Sequence, residues 1–469
     1  MDGLNKKSFI VLAVISGITT LLMLLTFNYW DGQTLMAWSV NNYDILVEGR
    51  IRDFYIDKQV NLRGAIQTDG CSSPFMLIPQ MIWNFPIWIT HYFNGNLNVA
   101  TLPCIYWYKL FLVVMTILCG CVCYKIIYQL TNDKNRATMG LLLMCVAPEV
   151  ILSTMYTGQD EVVYIFFILM ALYSSINNKK RAFIVWSMCA ITCCPIMLIP
   201  FTVMLFVKEK KILKIVMSYL IVFMPTILWE VISIGAPAKE VVGIDSGAFA
   251  SGMMDLINFS STTGMVSVAG IILVVLVFWC YYDKSSTFEV ETVALNDSIQ
   301  IIWYVAVSMI LISFLMDNFF YRLLLYVPFV LILVLGSEKK CTLSLNMFLV
   351  SVLAYLRMFT GGYNSPQNMN TTYVARTNIL MKICEMTGST KYDVYDGLND
   401  KILEKLPSLA DYITLMNAVI IATALILLYI NHPKNRREYE LAIPVKVSVI
   451  LNVLCMPLFL FVFYGLLLK

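Results

Sequence analysis

Charge and histidine are scarce in this sequence. Only 13% of its 469 residues are charged, and the two histidines are His91 and His432. Soluble domains carry about 25% charged residues, so this composition excludes an ordinary soluble domain. Two histidines give little support to histidine catalysis or to a His-rich metal site. No basic stretch interleaved with aromatic residues indicates a nucleic-acid partner.

The 13 cysteines form no recognisable chemical motif. Most lie in apolar runs, where a cysteine behaves as a small hydrophobic residue, and no spacing is typical of a zinc site. Cys71 and Cys384 fall in two predicted loops on the same side, which leaves a disulfide between them as a minor alternative. The sequence also lacks an Asp-x-Asp pair, so we expect neither an obligatory metal nor another cofactor.

Apolar residues are abundant instead. They make up 59% of the chain, and the mean hydropathy is +0.74. A helix needs about 20 apolar residues to cross a bilayer, where its backbone groups must bond internally. The sequence therefore predicts an all-α polytopic membrane helical bundle of about eleven spans. The predicted spans are 8–28, 103–130, 138–156, 161–177, 211–232, 263–281, 299–316, 319–336, 342–360, 412–431 and 442–467.

One apolar stretch does not fit a simple crossing. Residues 182–207 lie between two basic clusters, 179–181 and 208–211, and the positive-inside rule assigns both clusters to the cytosol. As one helix the stretch would reach about 39 Å, which is one crossing rather than two. Cys194-Pro195 lies at its middle, where proline interrupts a helix. These features predict a re-entrant helical hairpin.

The hairpin makes the distribution of charge consistent. Most lysines and arginines between spans then fall on one side, so we expect a cytosolic N-terminus. The long regions 29–102 and 361–411 become outer loops. In the first loop, the apolar stripe of 36, 40, 43 and 47 predicts an amphipathic surface helix. Segment 75–93 has three prolines and an aromatic-rich edge, which favours an interfacial or re-entrant segment over a span.

Acidic and amide residues at the outer ends of spans are candidate site residues, because ionisable groups at a membrane are costly. Asp31 follows the first span; it could act as a general base or belong to a turn. Gln159, Asp160 and Glu161 lie in an almost absent loop after Gly158. Asp160 could cap the next helix, whereas Gln159 could bind a hydroxylated ligand.

Two basic residues are also candidate site residues, because they lie at or inside the membrane. Arg322 begins a predicted span at the outer face and could bind a phosphate in bidentate fashion. Lys109 lies one to two turns inside the second span and could pair with Asp31, Asp69 or Asp160, or contact a lipid phosphate. For both residues the alternative is a side chain that extends to the lipid headgroups.

Taken in order, these residues resemble membrane glycosyltransferases of the GT-C superfamily, in particular bacterial relatives of the second GPI mannosyltransferase. The similarity covers about residues 1–335. The block 156–161, Tyr-Thr-Gly-Gln-Asp-Glu, carries most of it. Asp31 with Trp38, the segment 68–75 and Lys109 add weaker matches. The chain departs from the family at 316–322, where only the arginine is kept, and at Cys194, where relatives often have a lysine.

The resemblance implies a GT-C-like catalytic module over 1–335, followed by C-terminal transmembrane helices over 336–469. It implies an inverting transfer of a hexose, such as mannose, from a polyprenyl-phosphate donor to a glycan or lipid-linked acceptor at the outer face of a bacterial cytoplasmic membrane. Membrane lipids are further partners. In this interpretation Asp31 is the general base, and Arg322 and Lys109 bind the donor phosphate. The substrate-binding residues are then Asp69, Gln159, Asp160 and Glu161.

Three other functions stay open at this point. A transporter or flippase of a lipid-linked sugar would have internal repeats and charges at mid-membrane, and neither is evident in the sequence. A polysaccharide polymerase or ligase would share the topology and a late outer loop such as 361–411. A non-catalytic subunit of a glycosylation complex would keep the topology without the chemistry.

Overall fold

The structure, a computed structural model, is helical and has no strand among the residues that it describes. Described are residues 6–26, 31–65, 73–95, 97–156, 158–239, 268–283, 287–288, 295–315, 321–337, 413–434 and most of 450–460. Predicted span 342–360 and the predicted outer loop 361–411 lie outside the described residues, as does most of span 442–467.

Fifteen α-helices of the described residues are numbered here in chain order. They are α1 Lys6–Thr26, α2 Asp31–Val47, α3 Phe54–Val60, α4 Ile78–Asn94, α5 Leu102–Thr131, α6 Lys134–Val146, α7 Pro148–Ile151, α8 Glu161–Ile176, α9 Lys180–Cys193, α10 Leu198–Lys208, α11 Ile212–Ile232, α12 Val268–Tyr282, α13 Leu295–Leu315, α14 Val327–Gly336 and α15 Ile413–Ile430. Short 3-10 helices cover Ile51–Asp53, Pro74–Leu77, Pro195–Met197 and Tyr321–Leu325, and a π-helix covers Leu152–Tyr156.

Five helical segments of the described chain are long and apolar enough to cross a membrane. They are Lys7–Leu25, Leu102–Thr131, Lys134–Met155, Ile212–Ile232 and Leu295–Ser313. Shorter apolar helices lie in four other predicted spans, at Glu161–Ile176, Gly270–Tyr282, Arg322–Gly336 and Ala418–Ile430. The all-α class predicted from the sequence is therefore confirmed for the described residues, which contain five candidate membrane-spanning helices. The number of spans stays a prediction.

The chain divides into two compact units. Unit 1 comprises 1–29, 116–157 and 318–469, and unit 2 comprises 30–115 and 158–317.

In unit 1, Asp133 joins α5 to α6. Its side chain accepts hydrogen bonds from the backbone N–H groups of Asn135 and Arg136, which caps the start of α6. Arg136 then donates to the backbone oxygen of Ser337 at the end of α14 (3.2 Å), and Ser337 donates to Asn431 at the end of α15 (3.1 Å). These bonds hold one end of α6, α14 and α15 together.

In unit 2, α9 and α10 fold back on each other as a hairpin. The chain turns at Cys194, which has an extended backbone, and at Pro195. The Lys180 ammonium at the start of α9 lies 2.6 Å from the Glu209 carboxylate just after α10. Between the two ends, Phe183 stacks on Phe201. The helical hairpin predicted from Pro195 and the flanking basic clusters is thus present.

Helix α2 forms as predicted, but the prediction of an amphipathic surface helix is wrong. Every residue from Gly32 to Asn42 is buried, and these include polar Asn41 and Asn42. Only the last turn is exposed, at Leu46 and Val47. The polar side of α2 faces other elements of the unit, chiefly α4, and therefore belongs to the interior.

Helix α4 shows the opposite arrangement, with apolar residues outside and polar residues inside. Large apolar side chains are exposed at Ile78, Ile82, Phe85, Ile89 and Phe93, which follow one another at helical spacing. Gln80 and Asn84, on the other face, are each 1% exposed. A helix of this kind suits a position where its outer face meets lipid and its inner face meets a polar site.

Candidate functional site

The structure places five of the seven predicted site residues in unit 2. Asp31 is the first residue of α2, Lys109 lies in α5, and Gln159, Asp160 and Glu161 lead into α8. Arg322 lies in unit 1, in the 3-10 helix Tyr321–Leu325. Asp69 falls outside the described residues.

Asp160 is bound by a residue that the sequence did not single out. It occupies the position before α8, but its side chain makes no capping hydrogen bond. Instead the Asp160 carboxylate accepts a hydrogen bond of 2.9 Å from the Gln80 side-chain amide. Asp160 is thus the N-cap residue of α8 by position, but its side chain bonds to Gln80 and not to the helix backbone. The Asp160–Gln80 pair is the first element of the candidate site.

The turn before α8 needs its glycine. Gly158 has a φ of +64°, in the left-handed region that side chains with a Cβ disfavour. The turn leaves Gln159 and Asp160 half-buried and Glu161 buried. Three polar side chains are thereby gathered at one end of α8, where the helix dipole also favours negative charge.

A polar stripe on α4 reaches the pair from the other side. Gln80, Asn84 and Trp88 follow at intervals of four residues, so they share one face of the helix. The Asn84 amide donates to Ser39 of α2 (2.7 Å), and the Trp88 indole donates to Asp44 of α2 (2.9 Å). Three polar contacts along one helix fix its rotation, which aims Gln80 at Asp160. The signal in the sequence was a polar residue at every fourth position of an apolar, proline-rich segment.

A further network holds the end of α2 in place. The Arg63 guanidinium donates to Asn41, to Asp44 and to the Nε2 atom of His91, the last at 2.9 Å. Arg63 itself has a φ of +48°, which is uncommon for a residue with a side chain. All three guanidinium nitrogens are thus engaged, and Arg63 joins α2 to α4.

Lys109 is fully buried, with 2% of its surface exposed. A lysine that extends to the headgroups keeps its ammonium exposed, so that alternative is wrong for Lys109. The start of α2 lies against this part of α5. The backbone of Gly32 meets the Tyr108 ring so closely that a Cβ there would overlap the ring. Gly32 therefore allows the first turn of α2 to pack against α5 at Tyr108.

An apolar cavity of about 360 Å³ lies next to the Asp160–Gln80 pair. Pro79 lines it and precedes Gln80, and Cys193 lines it and interacts electrostatically with Asp160. Its wall also contains Pro225, the proline inside α11. Ile78 and Met224 on its rim are exposed. The full lining is Phe75, Ile78, Pro79, Phe167, Met188, Cys189, Thr192, Cys193, Met224, Pro225 and Leu228.

Unit 1 contains two further ionisable residues of interest, Arg322 and Glu149. The 3-10 helix that contains half-buried Arg322 contacts both α7 and the π-helix Leu152–Tyr156. Glu149 on α7 is 1% exposed and interacts electrostatically with Tyr326. In the sequence, the one sign of Glu149 is a carboxylate directly after a proline in an apolar run.

In the part of the chain that the structure describes, no group of three or more His, Cys, Asp or Glu side chains is arranged to hold a metal ion. Comparison with known proteins found no matching family model, no matching curated protein and no matching solved structure.

Proposed function

We propose that the chain is an integral membrane glycosyltransferase that moves a hexose from a polyprenyl-phosphate donor to a glycan or lipid-linked acceptor at the outer face of the membrane. The observation that carries the proposal is the Asp160–Gln80 pair beside the apolar cavity. A carboxylate and an amide are the groups that bind sugar hydroxyls, and an apolar cavity with an exposed apolar rim suits a lipid chain. A lipid-linked sugar has both parts.

The chemistry assigned to unit 2 starts from Asp31. The Asp31 carboxylate takes the proton of the acceptor hydroxyl, and the hydroxyl oxygen forms a bond to the anomeric carbon. The bond from that carbon to the donor phosphate breaks on the opposite side, so the sugar configuration inverts and polyprenyl phosphate leaves. Gln159, Asp160 and Gln80 hold the sugar, together with Glu161 and Asp69.

In this proposal, a positively charged side chain stabilises the phosphate that leaves. Negative charge on the phosphate grows as the bond breaks, and a preorganised positive charge in a site without water stabilises that state most. Buried Lys109 supplies such a charge within unit 2. Its ammonium would then do what a metal does in other transferases.

A second candidate function is the transport of a lipid-linked sugar across the membrane. The observation that favours it is the presence of buried ionisable groups inside two candidate spans, Lys109 in Leu102–Thr131 and Glu149 in Lys134–Met155. Such groups are typical of transport pathways.

One experiment separates the two functions. The protein is reconstituted in vesicles with polyprenyl-phosphate hexoses and a lipid extract as acceptor, and two products are measured, free polyprenyl phosphate and donor that has crossed the bilayer. A transferase releases polyprenyl phosphate, and Asp31→Asn lowers that rate by at least a hundredfold. The control Asp53→Asn makes the same change at a side chain that is 39% exposed in the same unit. Donor crossing without release would replace the transferase by the transporter.

A further inference from the structure

The two basic clusters that flank the α9–α10 hairpin meet at one end of unit 2. The Lys180 ammonium at the start of α9 lies 2.6 Å from the Glu209 carboxylate. Glu209 also accepts a hydrogen bond of 3.2 Å from the backbone N–H of Lys211, and α11 begins at the next residue, Ile212. Helices α9 and α11 pack against each other, and both therefore begin next to Glu209.

The basic side chains at this end divide into two groups. Lys180 is engaged by Glu209, and the Lys208 ammonium donates to the Asn178 side chain at 2.7 Å. Lys210 turns inward and donates to three backbone carbonyl oxygens. Four others are exposed: Lys179, Arg181, Lys211 and Lys214. Because Glu209 is only 5% exposed, the outer surface at this end is positively charged.

Large apolar side chains are exposed among these cations. Ile212 is 71% exposed and Leu213 is 76% exposed, and both stand between two lysines in the first turn of α11. The exposed apolar surface continues along α11, which is long and apolar enough to cross a membrane. We call the surface formed by the cations and these two residues the hairpin base: Lys179, Arg181, Lys211, Ile212, Leu213 and Lys214.

A ligand of the hairpin base needs an anionic part and an apolar part. A soluble phosphate would pair with the cations but would leave Ile212 and Leu213 in water, which is unfavourable for apolar surface. A phospholipid with an anionic headgroup supplies both parts. Basic residues beside a spanning helix attract such lipids, and the apolar stems of lysine and arginine can lie along the lipid while their charged ends reach the headgroups.

We propose that the hairpin base binds anionic phospholipids in the leaflet that faces the cytosol in the predicted topology. Its four cations bind the headgroup phosphates, while Ile212 and Leu213 contact the acyl chains. The bound lipid holds the starts of α9 and α11 at the membrane surface. This role is separate from the proposed transferase function and does not depend on it.

The test compares two phospholipids that differ in headgroup charge. The full chain in a neutral detergent is titrated with phosphatidylglycerol or with phosphatidylcholine of the same acyl chains, and native mass spectrometry measures the bound lipid. The wild-type protein should bind phosphatidylglycerol at least fivefold more tightly. Lys211→Gln combined with Lys214→Gln should reduce that preference at least threefold. Lys7→Gln combined with Lys134→Gln, at two exposed lysines of unit 1, should leave it unchanged.

Two further measurements identify the lipid as the ligand. Leu213→Asn should weaken the binding of both phospholipids, because their acyl chains lose an apolar contact. An excess of inorganic phosphate should not displace phosphatidylglycerol; displacement would assign the surface to a free anion and overturn the proposal. A wild-type protein without a preference overturns it, as does an unchanged preference in K211Q/K214Q or an equal loss in the control. If K211Q/K214Q does not fold, Lys214→Gln alone is judged by the same criterion.

Discussion

The Lys180 ammonium lies 2.6 Å from the Glu209 carboxylate across 29 positions of the chain. This ion pair joins the two ends of the α9–α10 hairpin, and Glu209 also accepts a hydrogen bond from the backbone N–H of Lys211. A hydrogen bond to a charged group contributes about 1.5–3 kcal/mol. Because Lys180 is partly exposed, solvent screening should reduce the contribution of this pair to about 1–2 kcal/mol. Glu209→Gln should remove that amount in thermal unfolding, whereas Glu48→Gln at an exposed site should have little effect.

The Lys180–Glu209 pair should also make the stability of the fold depend on pH. Burial acts to raise the pKa of Glu209, but the hydrogen bond and charge of Lys180 outweigh it and bring that pKa below its ordinary value of 4.5. A carboxyl with a lowered pKa stabilises the fold above its ordinary value, and this stability is lost as the pH falls through the lowered pKa. The difference between wild type and E209Q should therefore be full at pH 6 and shrink in acid below about pH 4. A difference that is constant across this range would contradict the role of the pair.

The contact between Arg63 and His91 predicts a second loss of stability in acid. Burial lowers the pKa of His91, and the Arg63 guanidinium lowers it further. Because arginine can only donate, the Nε2 atom of His91 must be an unprotonated acceptor. The stability from this contact is present above the ordinary pKa of 6.5 and is lost as the pH falls through the lowered value.

Two substitutions check the histidine. His91→Gln keeps an acceptor for Arg63 without a titrating group, so unfolding measured from pH 7 to pH 5 should depend less on pH than in the wild type. His432→Gln changes the only other histidine of the chain and should leave the dependence as it was. An H91Q protein with the full wild-type slope would show that other groups titrate in this range.

The sequence predicted features whose signals are local and missed those that depend on distant partners. The hairpin was predictable because Pro195 and the basic clusters on both sides lie within one stretch. The burial of α2 was not predictable, because a helix with one polar face can present that face either to water or to a polar neighbour. Only the position of α4 decides between them.

The pairing of Gln80 with Asp160 was not predictable from the sequence, because it also depends on a distant partner. The two residues are 80 positions apart, and no periodicity connects them. The block 158–161 drew attention to Asp160, but its partner could be found only in three dimensions.

Gln80→Met tests the polar pair of the candidate site. Methionine has nearly the size of glutamine but cannot donate to Asp160, so the carboxylate would lose its fixed position. We expect hexose transfer to fall at least tenfold, mainly through a higher KM for the donor. Gln59→Met makes the same change at a half-buried position of α3 and should keep normal activity.

A double substitution tests more strictly whether Gln80 and Asp160 act together. If Asp160 acts through the position that Gln80 gives it, then adding Gln80→Met to Asp160→Asn should cost much less than Gln80→Met costs alone. Fully additive losses would mean that the two side chains act independently and that the hydrogen bond between them does not serve the reaction.

The outer face of α4 predicts where this helix meets the bilayer. Ile82 is 72% exposed and Phe93 is 78% exposed, on the side opposite Gln80 and Asn84. Apolar side chains of this size in a row are stabilised when lipid covers them. A cysteine at position 82 or 93 should thus be labelled slowly by a membrane-impermeant maleimide, and a bimane attached there should be quenched by brominated lipids.

Position 48 provides the matched comparison, because the Glu48 side chain is 54% exposed but polar. A cysteine there should be labelled quickly and its bimane should be insensitive to brominated lipids. Equal labelling rates at 82 and 48 would place the outer face of α4 in water. The apolar rim at Ile78 would then also be in water, and a lipid chain would have no path from the bilayer to the cavity beside Asp160.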